Sequence, residues 1–245
     1  MTIATGDEVI WHEVECGAYA ADLALWTELA REAAGPVLEL GCGTGRVAVH
    51  LAAEGHAVIA LDRSPALLAE LRRRAEAARI EVEAVVAEAR AFELERRFAA
   101  ILAPMQLAHL LGGPAGRAAM FERVAAHLAP GGLFAAALLS GDADAVAHGN
   151  PPLPDVLERD GWVYSSLPIE VRGDEGGIEL RRLRQVVSPE GSLREQTATI
   201  RLDRLTADGF EAEAVAAGLM PRERIEIAPT TDHVGSIACV LEGRR

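Results

Sequence analysis

Lysine is absent from this chain: all 24 basic residues among its 245 are arginine. That removes Schiff-base chemistry and a catalytic lysine base. It also removes the phosphate-binding P-loop, which needs Gly-Lys-Ser/Thr. Cysteine is scarce as well. Cys16, Cys42 and Cys239 form no C-x-x-C pair and are too few for a disulfide framework. No residue cluster reads as a metal site. Positive charge is in short supply, and the balance of 24 basic against 37 acidic residues leaves a net charge of −13. Such a surface disfavours the phosphate attraction on which nucleic-acid binders depend, and it is repelled by an anionic membrane. No apolar run approaches the ~18 residues of a membrane span. The acidic segment Met1–Glu15 lacks a signal-peptide core, so the expected location is cytoplasmic.

What the chain does contain is Val37-Leu38-Glu39-Leu40-Gly41-Cys42-Gly43-Thr44-Gly45-Arg46. A short apolar strand runs into three glycines spaced two apart, and a helical pattern follows. Glycine lets a backbone turn tightly and come close to a ligand. A dinucleotide fingerprint, G-x-G-x-x-G/A, needs a small residue where this chain has Arg46. The loop therefore points to a smaller, less anionic nucleoside. Cys42 reads as a small residue that fits the loop, with no charged partner to activate its thiolate.

Strands and helices alternate across the first half. Apolar runs at 37–40, 57–61, 82–87, 99–103 and 133–139 are separated by helical stretches at 46–54, 65–79 and 115–128. Ahead of them, Leu23, Trp26, Leu29 and Ala30 at helical spacing mark a helix over 18–34 that ends at Gly35-Pro36. This alternation predicts an α/β fold with a doubly wound, mostly parallel sheet. After Ser140 the pattern changes. Residues 141–160 read as an irregular connection, and 162–171, 178–187 and 193–205 read as an antiparallel meander divided by Gly- and Pro-rich turns. Along its first strand Val163, Leu167, Ile169 and Val171 are expected on one face. A helix over 206–217, capped by Thr206 and stopped by Gly218, precedes two antiparallel runs, 225–228 and 237–241. The whole is one domain over 1–245: an N-terminal helical cap (1–34), a cofactor-binding core (35–140), a β-meander insertion or lid (141–205), and a last helix with two antiparallel strands (206–245).

In an open α/β sheet, ligands bind beyond the carboxyl ends of the strands. The glycine loop lies there, and the second strand ends in Asp62, where a carboxylate is placed to accept ribose hydroxyls. Ser64 reads as the cap of the next helix, with Pro65 at its first position. On Glu39–Arg46, Asp62–Pro65 and Leu128-Ala129-Pro130-Gly131-Gly132, the chain resembles the class I S-adenosylmethionine-dependent methyltransferases. It looks most like the small-molecule branch that includes glycine N-methyltransferase-like enzymes. The resemblance covers 18–140 well and 206–245 in outline.

The resemblance implies a Rossmann-like seven-stranded sheet whose last strand is antiparallel, with the meander as a small β insertion. It implies S-adenosylmethionine as cofactor, held by Glu39, Gly41, Cys42, Gly43, Gly45, Arg46, Asp62, Arg63, Glu88, Ala89, Ala103 and Met105. Tyr19, in the segment that often folds over the cofactor, is added for a cation–π contact with the sulfonium. The chain departs from the family at Ala87-Glu88, where Gly-Asp is usual, and at Ala99, where an acid is common. Trp11, Gln106, His109 and His233 are candidates for the acceptor, with His109 also a candidate general base. Arg181, Arg182 and Arg184 read as a solvated edge, with an anionic substrate as the alternative. The expected activity is methyl transfer to nitrogen or oxygen of a small metabolite. A non-catalytic binding module that keeps the nucleoside site is the alternative, and Arg46 disfavours an NAD-dependent oxidoreductase. The acceptor and the oligomeric state, a homodimer among the options, stay open.

Overall fold

The computed structural model describes residues 5–139, 153–174, 176–230 and 233–243. Two helices come first, α1 (Thr5–Cys16) and α2 (Leu23–Ala33). α2 lies within the helix expected over 18–34, and α1 precedes it as a separate helix. Ala34, in the left-handed region at φ 51°, closes α2 one residue before Gly35-Pro36.

The core sheet is built from β1 (Val37–Leu40), β2 (Val58–Asp62), β3 (Glu83–Val86), β4 (Phe98–Ala103), β5 (Leu128–Leu139), β10 (Met220–Ile227) and β11 (Ser236–Glu242). Its strand order is β10-β11-β5-β4-β1-β2-β3. β11 runs antiparallel to both β5 and β10, while β1 to β5 pair in parallel. This is the seven-stranded Rossmann-like fold with an antiparallel last strand. Every residue of β1 and β2 is buried, as a parallel sheet covered on both faces requires. One face packs α2, α3 (Arg46–Ala53) and α4 (Pro65–Ala78) through Trp26, Leu51, Leu68 and Leu71. The other packs α5 (Pro114–His127) and α6 (Ala207–Ala216) through Phe121, Phe134 and Phe210. Ser64 caps α4, its Oγ accepting from Leu67 N at 3.3 Å with Pro65 at the first position. Thr206 caps α6 in the same way.

A separate antiparallel sheet has the order β6-β7-β8-β9, formed by β6 (Asp155–Arg159), β7 (Trp162–Asp174), β8 (Gly177–Val187) and β9 (Leu193–Asp203). Two expectations are corrected here. Within the stretch read as irregular, 155–159 forms a strand paired with β7; residues 141–152 of that stretch lie outside the described residues. The regular alternation along β7 also fails. The register shifts between Pro168 and Glu170, and Ile169 is turned outward, 46% exposed. Proline has no N–H for the ladder, so a bulge forms there. Among the described residues, no helix is long and apolar enough to cross a membrane.

Candidate cofactor and acceptor site

The site forms where β1 and β2 end side by side. Leu61 O accepts from Cys42 N at 3.0 Å, so hydrogen bonding to β2 continues two residues past β1 before the chain turns away. Gly41 (φ 64°) and Gly43 (φ 56°) then adopt left-handed backbone that other residues resist. Space is also limiting. A Cβ at Gly41 would lie 2.9 Å from the Leu107 side chain, and one at Gly43 would overlap the His12 imidazole.

Asp62 holds the loop in place. Its Oδ2 accepts from Gly43 N at 2.9 Å and its Oδ1 from Ser64 N at 2.8 Å. The carboxylate thus ties the glycine loop to the cap of α4, and each oxygen keeps a lone pair for a further donor. Glu39 has the opposite character. It is 3% exposed, and its Oε2 lacks a hydrogen-bond partner, alone among the buried side-chain polar atoms of the described residues. Burial pushes its carboxyl up to about 8; the nearby Arg46 charge and a hydrogen bond from the Ala48 backbone oppose that rise. An orphaned buried carboxylate oxygen beside the glycine turn suits a cationic ligand group.

Arg46 does not face the loop's open side. It forms a fork on Asp22, with Nη1 to Oδ1 at 2.5 Å and Nη2 to Oδ2 at 2.8 Å, and Nη1 also donates to the Tyr19 carbonyl. Asp22 is 1% exposed and also accepts from the Trp26 indole. Arg46 is therefore a strut between the glycine loop and the chain leading into α2. Its guanidinium lies 5.1 Å from the Tyr19 ring centroid, so that ring already has a cation over it. On the same ring, His233 stacks at 4.7 Å between centroids. The register Ser236↔Leu139 places the loop before β11 at the carboxyl end of β5, so His233 sits at the binding edge of the sheet.

The remaining expected residues divide by position. Ala103 and Ala89 are buried, whereas Arg63 is exposed. Glu88 is partly exposed and pairs with Arg90 at 3.0 Å. Cys42 is buried and its thiol is held strongly protonated by that burial. Met105, after β4, is a non-glycine residue at φ 56°, a conformation costing roughly 1 kcal/mol. It turns the chain so that Gln106 begins the short 3-10 helix Leu107–Leu110 facing the loop.

Three expectations are corrected. His109 is 2% exposed with both ring nitrogens engaged. Nδ1 donates to the Asp203 carbonyl at 2.9 Å and Nε2 accepts from Leu139 N at 3.1 Å. No lone pair remains for a substrate proton, and burial lowers its basicity. Trp11 is 3% exposed, packed edge-on to Tyr164 and under Arg184, so it lines no open acceptor surface. The arginines of β8 are not a solvated edge, because β8 lies between β7 and β9. Arg182 is 8% exposed and Arg184 is paired with Glu15.

Within the helical cap expected over 1–34, the sequence does not delimit α1 or foretell its contacts. Glu13 bonds both Thr44 and Arg74, and His12 Nδ1 lies 3.3 Å from Thr44 Oγ1. Glu8 accepts from Ser64 Oγ at 2.8 Å. The only sequence signal was the spacing of Ile10, Trp11 and Val14 within an acidic stretch.

Comparison with known proteins agrees with this geometry. Residues 37–132 match a family model described as a methyltransferase domain. The seven-stranded sheet with its glycine loop has the Rossmann-like methyltransferase fold. Over 116 residues the chain is 36% identical to a dTDP-3-amino-3,6-dideoxy-alpha-D-glucopyranose N,N-dimethyltransferase of Streptomyces fradiae, covering 46% of this chain and 43% of that enzyme. The match thus spans less than half of that relative. Streptomyces venezuelae DesVI superposes with a TM-score of 0.75 at 20% identity, over 100% of both chains. CalS10, an amino pentose methyltransferase from Micromonospora echinaspora solved with S-adenosylmethionine bound, gives 0.73 at 20% identity, over 99% of this chain and 98% of its own.

Proposed function

We propose that the protein transfers a methyl group from S-adenosylmethionine to the amine of an amino sugar. The observation that carries the reading is the pair of carboxylates at the ends of β1 and β2: Glu39, buried with an orphaned oxygen, and Asp62, fixed by two backbone amides on either side of it. Glu39 suits the ammonium of an amino-acid moiety, and Asp62 retains acceptor capacity for ribose hydroxyls. When bound, the cofactor supplies an activated methyl on a sulfonium. The chain's own tasks are then to bind, to align the acceptor and to exclude water. Tyr19 and His233 stand at the edge where the acceptor would enter. Gly41, Gly43, Gly45, Met105 and Glu88 complete the cofactor's surroundings, with Gln106 facing the acceptor side.

Nitrogen is favoured over oxygen on chemical grounds. A neutral amine attacks a sulfonium methyl without a base, whereas a hydroxyl needs one, and the His109 imidazole is locked by backbone partners. The names of the relatives carry the choice of amino sugar over the broader range of small metabolites. Calorimetry with S-adenosylhomocysteine tests the cofactor half of this reading. Mass spectrometry of a dTDP-3-amino-3,6-dideoxyhexose incubated with protein and S-adenosylmethionine tests the acceptor half: a gain of one or two methyl masses is expected. Binding without methyl gain on any amino sugar offered would overturn the acceptor class.

A further inference from the structure

Helix α1 touches two parts of the molecule that are far apart in sequence. Residues 8, 12 and 15 follow helical spacing of four and three, so they form one stripe. The amino-terminal part of the stripe lies on the cofactor floor. Glu8 holds Ser64, next to Asp62, while His12 covers Gly43 and Glu13 bonds Thr44 and Arg74. The carboxyl-terminal part lies on the second sheet. Glu15 accepts from Ser166 Oγ at 2.7 Å and takes a fork from Arg184 at 2.7 and 2.9 Å, with Arg182 at 3.4 Å. Ser166 is 0% exposed and Arg182 8%. Arg182 keeps Asp155 as a second partner, whereas Arg184 is held by the Glu15 fork, so separating them would strand the Arg184 charge and α1 is tied to the middle of β7–β8.

The opposite corner of this sheet is pinned to the core instead. Asp203, at the end of β9, accepts from Gly113 N at 2.6 Å, pairs with Arg117 at 3.0 Å and holds His109 through its carbonyl. The sheet therefore has one corner fixed on the core and one side attached to α1. A ligand laid over Gly43 would meet the His12 ring, so admitting it displaces that side chain of α1. We infer that Glu15 is a positioning residue: it transmits the movement of α1 over the cofactor loop to β7–β8, so that the second sheet, acting as the roof of the acceptor site, takes its working position only when the loop is filled. This rests on the methyltransferase reading.

Amide hydrogen exchange on the intact chain, with and without S-adenosylhomocysteine, tests it. In the unaltered protein the ligand is expected to slow exchange in α1 and also in 162–187, at least several-fold. Glu15→Gln keeps the shape of the side chain and removes its charge. That variant is expected to bind the same ligand within a few-fold and to keep protection in α1, but to lose the protection of 162–187. Should Glu15→Gln fold poorly, Arg184→Gln breaks the same link from the roof side and carries the same expectation. Ligand binding with undiminished roof protection in the variants overturns the role of Glu15 and leaves the cofactor reading standing. No binding to the unaltered protein overturns the cofactor reading, and the coupling with it.

Discussion

Replacing Glu39 with glutamine separates what this carboxylate does for the fold from what it does for the ligand. Its acidity is shifted from 4.5 to about 8, chiefly by burial. Between those values the folded chain binds a proton that the unfolded chain has released. Stability due to this group therefore falls as pH rises, by about 1.4 kcal/mol per pH unit, and levels off above pH ~8. At pH 7, about 2.5 units above the unfolded value, the cost is on the order of 3 kcal/mol. Glutamine keeps the acceptor for the Ala48 amide and carries no proton linkage. Glu39→Gln is thus expected to stabilise the ligand-free protein at pH 7 by up to ~3 kcal/mol, roughly 6–12 °C in Tm at this size. Near pH 4.5 the two proteins should be nearly equal. Urea unfolding of both at pH 5, 6, 7 and 8 isolates the term, because every other group titrates alike in the pair. The same variant should bind S-adenosylhomocysteine roughly 10–100-fold more weakly, since an amide replaces a charged partner. In the unaltered protein below pH 8, binding should release a proton, visible as a calorimetric enthalpy that depends on the buffer. A stability difference that does not change with pH would refute the argument from burial. Unchanged affinity would refute the placing of the ammonium.

Gly43→Ala should lose both stability and S-adenosylhomocysteine binding, because the new methyl overlaps His12 at a positive φ. Adding His12→Ala should recover the steric part and leave roughly 1 kcal/mol of backbone strain, measured as a coupling in a double-mutant cycle. Arg46→Ala should destabilise the ligand-free protein by about 3–5 kcal/mol, since Asp22 would stay buried without its cation; lost binding with unchanged Tm would show that Arg46 serves the ligand rather than the fold. His109→Ala should destabilise by about 2–4 kcal/mol at pH 7.5 by stranding the Leu139 amide and the Asp203 carbonyl. Burial depresses its basicity in the folded chain, so the unfolded chain alone gains a proton just below pH 6.5. The gap between the two proteins should therefore shrink as pH falls to 5.5, and a gap that widens would contradict the locked neutral ring.

The parts of the fold that were legible in the sequence follow short-range rules. A buried parallel strand is an unbroken apolar run, which gave β1, β2 and β4 to within a residue or two. Ser64-Pro65 and Thr206 act within three residues of themselves, so the caps were readable where they stand. The glycine spacing fixed the loop, and Asp62 fell at the end of the next strand because βα repeats have a regular length. Errors arose where a distant partner decides. The strand 155–159 has mixed polarity and exists only because β7 pairs with it. Ile169 obeyed the alternation until the proline beside it removed a ladder donor. His109 reads as able to face the cleft as a base, but the atom that occupies its Nδ1 lies 94 residues away.

The acidic N-terminal segment shows the same limit with more consequence for function. Its charge was legible only in bulk, as one contribution to a surface that repels phosphates. In the structure Glu8, Glu13 and Glu15 each meet specific donors: Ser64 at the cap of α4, Thr44 of the loop with Arg74 of α4, and Ser166 with Arg184 on the second sheet. Negative charge on α1 is therefore not a generic solvated face. It is set against hydroxyls and arginines drawn from four separate stretches of chain, and no local rule can see that convergence. The same contacts explain why Gly43 cannot carry a side chain: its conformation requires glycine, and so does the imidazole that α1 lays across it. The loop and the helix that covers it constrain each other through Gly43 and His12.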